Sequence, residues 1–590
     1  MARSSRVLTG LVCSVLALVA FGVLDRIHEF AETRFLTIDE FQWGHATWLM
    51  SQGQIPYRDF YEHHLPLGYG LHAGLLDNEV PFADRVIRLR EIGFAYLLIA
   101  LAAVGLATWK TNRSLPETLL TLCIVPSIGF GLMSAIDYRG DNWAAFGLIT
   151  ALSLIEINRK HASRALAALA GGLVVVAIGM TQKVVLLGAS AVGLMWLASV
   201  LARSEPARRR IGALRIDHPL PFALAGAAVA LAGIAWLFVH GIAGDAWEIN
   251  VLHAIEHERA YPRFGAGQYF APFLAETAAS SVALALLAGI HVAGGIRNFW
   301  VLPLLAALLG TLLIRAPFPY NYVLVCWLIA ICAVRGYATL VRRLLLRGDP
   351  ARPAHALAPL AWLLPLVLLP AQLGFVSGTH SNADQLALLE RIERHSGPDE
   401  VVIDSAGGAL FRPHRGYHWY QGRAHIKMFD DYFQHRLVPD MRASEALFWI
   451  RSVRFDLLPE GARHYLVSHY VPFFGELYVL GFATRATGPD EHRDGRIDVV
   501  RSGPYHVVRV GAEVGDEAVG PFVRIDGAEI SGPTVELAKG MHRMEIGPGT
   551  PAYRFSYLPP EAFGPPTRTR PHTPLFEYRR SERPGGRDPS

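Results

Sequence analysis

Cysteine is scarce in this sequence. Only Cys13, Cys123, Cys326 and Cys332 occur in 590 residues, each inside an apolar run. None is spaced as a disulfide framework or a thiolate metal site, which excludes a small cysteine-stapled scaffold. Charge is scarce as well. Charged residues make up 18% of the chain, against about 25% in soluble domains. The 55 basic and 51 acidic residues leave a net charge of +4, too balanced for a protein that grips nucleic acid through a basic face. What is abundant is apolar: 52% of the residues are hydrophobic, and the mean hydropathy is +0.27. A lipid-embedded helix needs no polar face, so this excess has a natural outlet in the bilayer. The composition predicts an integral membrane protein.

The apolar residues concentrate in 1–376. A hydrocarbon core about 30 Å thick needs about 20 helical residues. Eleven segments are candidates: 7–24, 91–109, 117–136, 142–157, 165–181, 184–201, 219–240, 276–296, 299–314, 320–340 and 356–376. The first follows Arg3 and Arg6, lacks a clear small-x-small cleavage site before Asp25, and reads as an uncleaved anchor. With the N-terminus inside, alternate loops are short and basic, carrying Lys110 and Arg113, Arg159 and Lys160, Arg208 to Arg210, and Arg342 and Arg343. The other loops are 25–90, 137–141, 182–183, 241–275 and 315–319, and they hold most of the unusual polar residues. The expectation is therefore a multi-pass protein of the inner (plasma) membrane. An odd number of spans puts its C-terminal region on the outer side.

Five outer elements carry candidate chemistry. The first loop, 25–90, interleaves aromatics, prolines and carboxylates, and a structureless loop of that length is improbable in a compact protein. Within it lie Asp39 and Glu40, and then Arg58, Glu62, His63 and His64. Asp39 reads either as a functional carboxylate or as a cap for a helix starting at Glu40. Stretches 40–51 and 66–77 read as surface helices. The second element, Asp137-Tyr-Arg139-Gly-Asp141, reads either as a site or as an ion pair closing a turn. Lys183 could snorkel or meet a phosphate. His253 and His257, spaced i,i+4, share a helix face that suits a metal but lack a complete zinc signature. Arg315, Tyr320 and Tyr322 form a cationic, aromatic turn that could grip a phosphate or sit in an interfacial belt.

Thr37-Ile-Asp39-Glu40, Gly53-Gln-Ile-Pro-Tyr-Arg-Asp-Phe and Glu62-His-His-Leu-Pro66-Leu together resemble the first outer loop of GT-C glycosyltransferases. The similar branch contains the protein O-mannosyltransferases and the lipid A aminoarabinose transferases. Tyr138-Arg139-Gly-Asp141, Thr181-Gln-Lys183 and Pro319-Tyr-Asn-Tyr322 sit where related motifs occur, so the resemblance covers roughly residues 7–340. It implies a hexosyl- or pentosyltransferase that moves a sugar from a polyprenyl-phosphate donor to a lipid, glycan or protein acceptor at the outer face. By resemblance, Asp39 is the general base or a metal holder, with Glu40 beside it and Asp141 as the second acidic residue. Arg139, Lys183 and Arg315, with Tyr320 and Tyr322, would hold the donor phosphate. Arg58, Glu62, His63 and His64 would face the acceptor or serve the loop itself. A divalent metal, where present, would fall to Glu62 with His257 and His253. Two histidines follow Glu62 where the aminoarabinose branch has Lys-Pro, and the spacing around His257 departs from its pattern.

A single carboxylate base suffices for single displacement, which implies inversion. An oligosaccharide ligase shares this chemistry and stays open. A transporter would place its ionisable residues at mid-membrane rather than at one boundary, and a scaffold with an exported binding domain leaves the acidic loop unexplained. From 377 the chain reads as soluble. An α/β domain is expected over 377–495, with a turn at Gly407-Gly408, followed by a small β-sandwich over 496–560 with a hairpin at 535–546. A disordered tail is expected over 561–590.

Overall fold

The computed structural model describes residues 2–76, 79–202, 214–253, 255, 267–295, 298–314, 318–345, 357–377, 381–510 and 523–563. All eleven apolar segments are helical. Six helices are long and apolar enough to cross a bilayer: Arg6–Thr33, Phe82–Asn112, Pro219–Val239, Phe273–Val292, Pro319–Leu344 and Ala358–Ser377. A further apolar pair, Leu115–Ser127 and Gly129–Ala135, is bent by 70°, the shape of a broken span or of a re-entrant loop. Pro126 closes its first half, and Gly129 opens the second where the Gln372 carbonyl leaves no room for a Cβ. The remaining segments are Arg164–Met180, Val185–Leu201 and Val301–Leu313, which are short, and Gly140–His161, which is long enough but carries buried Asp141, Asn142, Glu156 and Asn158. A helix that packs inside a bundle need not be apolar all round. The chain is a polytopic helical membrane protein with a C-terminal sheet domain.

That domain contains two sheets. The strands are β1 (Val402–Ile403), β2 (Phe448–Ile450), β3 (Tyr470–Phe474), β4 (Leu477–Ala483), β5 (Arg493–Val499), β6 (Gly503–Arg509), β7 (Val523–Ile525), β8 (Ala528–Glu529), β9 (Thr534–Leu537), β10 (Gly540–Ile546) and β11 (Tyr553–Ser556). One sheet runs β1-β2-β4-β11-β6-β9 with β3 also on β4, and the other runs β5-β10-β7-β8. Two expectations change. The boundary at 495/496 does not separate two sheets, because β11 pairs with both β4 and β6 and so joins strands from either side. Nor do β9 and β10 form a hairpin: β9 pairs with β6, while β10 pairs with β5 and β7. Local alternation made both strands visible, but long-range pairing chose their partners. The expected tail begins within a short 3-10 turn, Pro560–Phe563, and the rest of it lies outside the described residues.

The loop between the first two long helices is held between these two halves. Its helices are Ile38–Ser51 and Leu67–Ala73. The Leu36 N–H donates to Gln385 Oε1 at 2.7 Å, and the Gln385 amide donates back to the Leu36 carbonyl at 2.9 Å. The Tyr61 N–H donates to the Tyr417 carbonyl at 2.9 Å, and Trp419 Nε1 donates to the Tyr61 carbonyl at 2.9 Å. The soluble domain thereby fixes the backbone on either side of the carboxylates.

Candidate active site

Thr37, not Asp39, caps the first loop helix. Helix Ile38–Ser51 has Thr37 as its N-cap, and Glu40, three residues on, returns its carboxylate to the Thr37 N–H at 2.8 Å. This capping box leaves Asp39 free of any local duty. Its side chain, 25% exposed, instead meets Arg139 Nη1 at 2.6 Å. Glu40 turns the other way. Arg90 donates to both of its oxygens at 2.8 Å, and the Tyr138 N–H donates to Oε1 at 2.9 Å. Glu40 therefore ties the start of the loop helix to the backbone beside Arg139 and does not line the cavity described next.

Asp39 and Arg139 border a cavity of about 850 Å³ that reaches Gln42, His63, His64, Lys183, His253 and Tyr320, and is closed by Tyr420 and Arg454 of the soluble domain. Arg139 starts the buried helix Gly140–His161, where Gly140 is required because a Cβ would run into the Trp43 ring. Its guanidinium carbon lies 3.5 Å from the Tyr320 ring centroid, with Lys183 Nζ 4.8 Å from the same ring. Asp141 is 3.3 Å from Arg139 and 3.4 Å from Lys183, and Thr181 also donates to it at 3.3 Å. Two of the three expected phosphate-binding cations, Arg139 and Lys183, are thus brought together, but each already has a carboxylate partner. Lys183 does not simply snorkel.

Burial alone would raise the pKa of Asp39. The positive charges of Arg139, Arg454 and Lys183 outweigh it and hold the carboxyl below its ordinary value. Asp39 is therefore ionised at neutral pH. Four buried atoms on the cavity residues have no hydrogen-bond partner: Arg139 Nε, Gln182 Oε1, Asn250 Oδ1 and His253 Nδ1.

Some expected residues lie elsewhere. Arg58 is half exposed, pairs with Asp59 at 2.8 Å, and is not among the residues lining the cavity. Tyr322 is buried against Phe130, with ring centroids 5.4 Å apart. Arg315 and His257 lie outside the described residues. His253 lines the cavity and sits 3.6 Å from Glu248, but it does not join Glu62 in a ligand cluster. That cluster is Glu62, His63 and His64, whose ligating atoms lie within 4.8 Å of one another. Glu62 Oε1 takes the His63 and His64 N–H groups and lies 2.8 Å from His64 Nδ1, while the buried Oε2 has no partner. An orphaned carboxylate oxygen beside two imidazoles suits a divalent ion of the zinc kind.

Sequence reasoning found no site in the soluble domain, yet Tyr420 and Arg454 close the cavity. No local motif marks either of them. Only tertiary docking brings them to Asp39.

No protein-family model and no curated protein matches the chain. Among solved structures, it resembles ArnT from Cupriavidus metallidurans bound to undecaprenyl phosphate, with a TM-score of 0.53 and 14% identity over 80% of this chain and 97% of that one. The two share a fold. The oligosaccharyltransferase of Archaeoglobus fulgidus gives a TM-score of 0.43 at 13% identity, over 78% of this chain and 71% of that one. Arabinosyltransferase EmbB from Mycobacterium smegmatis gives 0.40 at 12%, over 91% and 64%.

Proposed function

We propose that this protein transfers a hexosyl or pentosyl group from a polyprenyl-phosphate donor to a hydroxyl acceptor at the outer face of the membrane. The carrying observation is Asp39, released from capping and ionised, at the edge of a large cavity that also holds cations and aromatics. The first-loop motifs, and a fold shared with a protein bound to undecaprenyl phosphate, support the same reading.

In this reading Asp39 takes the proton of the acceptor hydroxyl as that oxygen attacks the anomeric carbon. The bond to the departing lipid phosphate breaks in the same displacement. Arg139 and Lys183 stabilise the charge developing on that phosphate. Asp141 holds Arg139, Lys183 and Thr181 and is not among the residues lining the cavity, whereas Asp39 is, which leaves one base and a single displacement with inversion. An anionic donor beside Asp39 raises its pKa, because like charges disfavour the ionised form, and so strengthens the base when substrate is present. A divalent ion held by Glu62, His63 and His64 would supply Lewis-acid stabilisation of phosphate oxygen.

The test is Asp39→Asn, which keeps the size and removes the basicity. General-base catalysis contributes roughly 10²–10⁴-fold, and a loss of that order is expected in polyprenyl-phosphate release from a radiolabelled polyprenyl-phosphate sugar. Undiminished turnover at the same protein level refutes the assignment.

A further inference from the structure

The soluble domain brings one charge to the cavity that its own packing leaves unanswered. Arg454 is 8% exposed and lies just beyond β2. Its Nη1 donates to the Ser405 carbonyl at 3.0 Å and its Nη2 to the Tyr420 hydroxyl at 3.0 Å. The guanidinium carbon lies 4.3 Å from the centroid of the Tyr420 ring. These partners are all neutral. Among the described residues, no carboxylate comes within 4.0 Å of Arg454.

Asp39, Asp141, Arg139 and Lys183 each lie within 2.6 to 3.4 Å of an oppositely charged partner. Of the cations lining the cavity, Arg139, Lys183 and Arg454, only Arg454 has no carboxylate that close among the described residues, and its charge reaches Asp39 only through space. A buried charge is unfavourable unless paired, and the cavity it faces is large enough for a ligand to supply the pair. The planar guanidinium, held flat on an aromatic ring, suits a tetrahedral oxyanion that accepts two hydrogen bonds at once.

We propose that Arg454, braced by Tyr420, is the counter-ion for the phosphate of the lipid-linked donor, so that the soluble domain supplies part of the donor site. This rests on the donor reading above. It changes the division of labour within that reading. Arg139 and Lys183 answer the carboxylates in the resting protein, and Arg454 answers the incoming phosphate. The soluble domain becomes a working wall of the site.

The test titrates undecaprenyl phosphate and, separately, undecaprenol into the full-length protein in nanodiscs, with the thermal unfolding midpoint as a control on folding. A lost charge-assisted contact predicts that Arg454→Gln weakens undecaprenyl phosphate binding roughly tenfold or more, with undecaprenol binding unchanged. Arg454→Lys should recover only part of the affinity, since an ammonium lacks the planar fork. Tyr420→Phe, which frees one arm of that fork, should also cause a phosphate-selective loss. Equal undecaprenyl phosphate binding by wild type and Arg454→Gln overturns the proposal. So does an equal loss of undecaprenol binding, which would make Arg454 only a wall. If Arg454→Gln lowers the unfolding midpoint, the Lys and Phe variants decide by the same phosphate selectivity. Failure of wild type to bind undecaprenyl phosphate at all would instead bring down the donor reading itself.

Discussion

Glu40 and Asp39 are adjacent in sequence and opposite in role. Glu40 is buried with five donated hydrogen bonds, two of them from Arg90. Replacing it with Gln leaves the Arg90 guanidinium charged, buried and without its ion-pair partner. Breaking a buried pair from one side costs about 3–5 kcal/mol. Glu40→Gln is therefore expected to lower the thermal unfolding midpoint markedly and to lose activity in step with folded protein. Asp39→Asn should hold the midpoint close to wild type, because Asp39 is partly exposed and Arg139 keeps Asp141. A Glu40→Gln protein that unfolds like wild type yet has no turnover would place Glu40 in the chemistry. The sequence could show that two acids stand side by side. It could not show that Arg90, fifty positions away, selects one of them for structure.

The first loop is legible as elements from its prolines, aromatics and amphipathic stretches, although its Thr37–Glu40 capping box, an equally local signal, stands where the sequence reading offers Asp39 as the cap. Its two helices appear where amphipathic stretches were expected. Its partners were not legible. Helix Ile38–Ser51 meets the soluble domain at His45, whose Nδ1 lies 2.7 Å from the Leu410 carbonyl and whose Nε2 lies 2.7 Å from His414 Nδ1. One proton between the two rings satisfies this chain when both are neutral. Burial lowers the pKa of His45 below 6.5, against smaller opposing effects from Asp404, the Leu410 carbonyl and Glu62. Burial, with His45 itself, lowers that of His414 further. The folded state therefore binds protons less readily than the unfolded state. The contribution to stability is full above pH 6.5, the ordinary value, and is lost as pH falls towards the lowered folded values. Wild type should accordingly lose more thermal stability than His414→Gln between about pH 7.5 and pH 5.5, a window that spans the ordinary histidine pKa. Parallel losses in the two proteins would show that this pair does not titrate across the interface.

At the scale of the whole molecule, hydropathy located eleven helical segments, but among the described residues only six, or seven with the bent pair, are long and apolar enough to cross a bilayer. Gly140–His161 carries Asp141 to Arg139 and Lys183 and packs most of its length inside the bundle. Helix Val301–Leu313 is only 13 residues long, about 20 Å at 1.5 Å per residue and too short to cross alone. The orientation argument depends on which helices cross, because each crossing reverses the side on which the next loop's Lys and Arg are counted. Lys110, Arg159 and Lys160 fall on the side away from Asp39, Arg139 and Lys183 in the alternation of the chain, and the Lys160 ammonium donates to the Lys110 and Thr111 carbonyls, gathering the basic loops. Every helix must keep its direction for Arg139, Lys183 and Tyr320 to converge on one cavity with a soluble domain as its roof. Reporter fusions after residues 162, 241 and 590 should therefore read inside, outside and outside. If the reporter after 241 reads inside while that after 162 also reads inside, the three helices between them do not place their ends as the cavity requires. If the reporter after 590 reads inside, Arg454 and Asp39 stand on opposite sides of the bilayer, and a site shared by the soluble domain and the first loop is physically impossible.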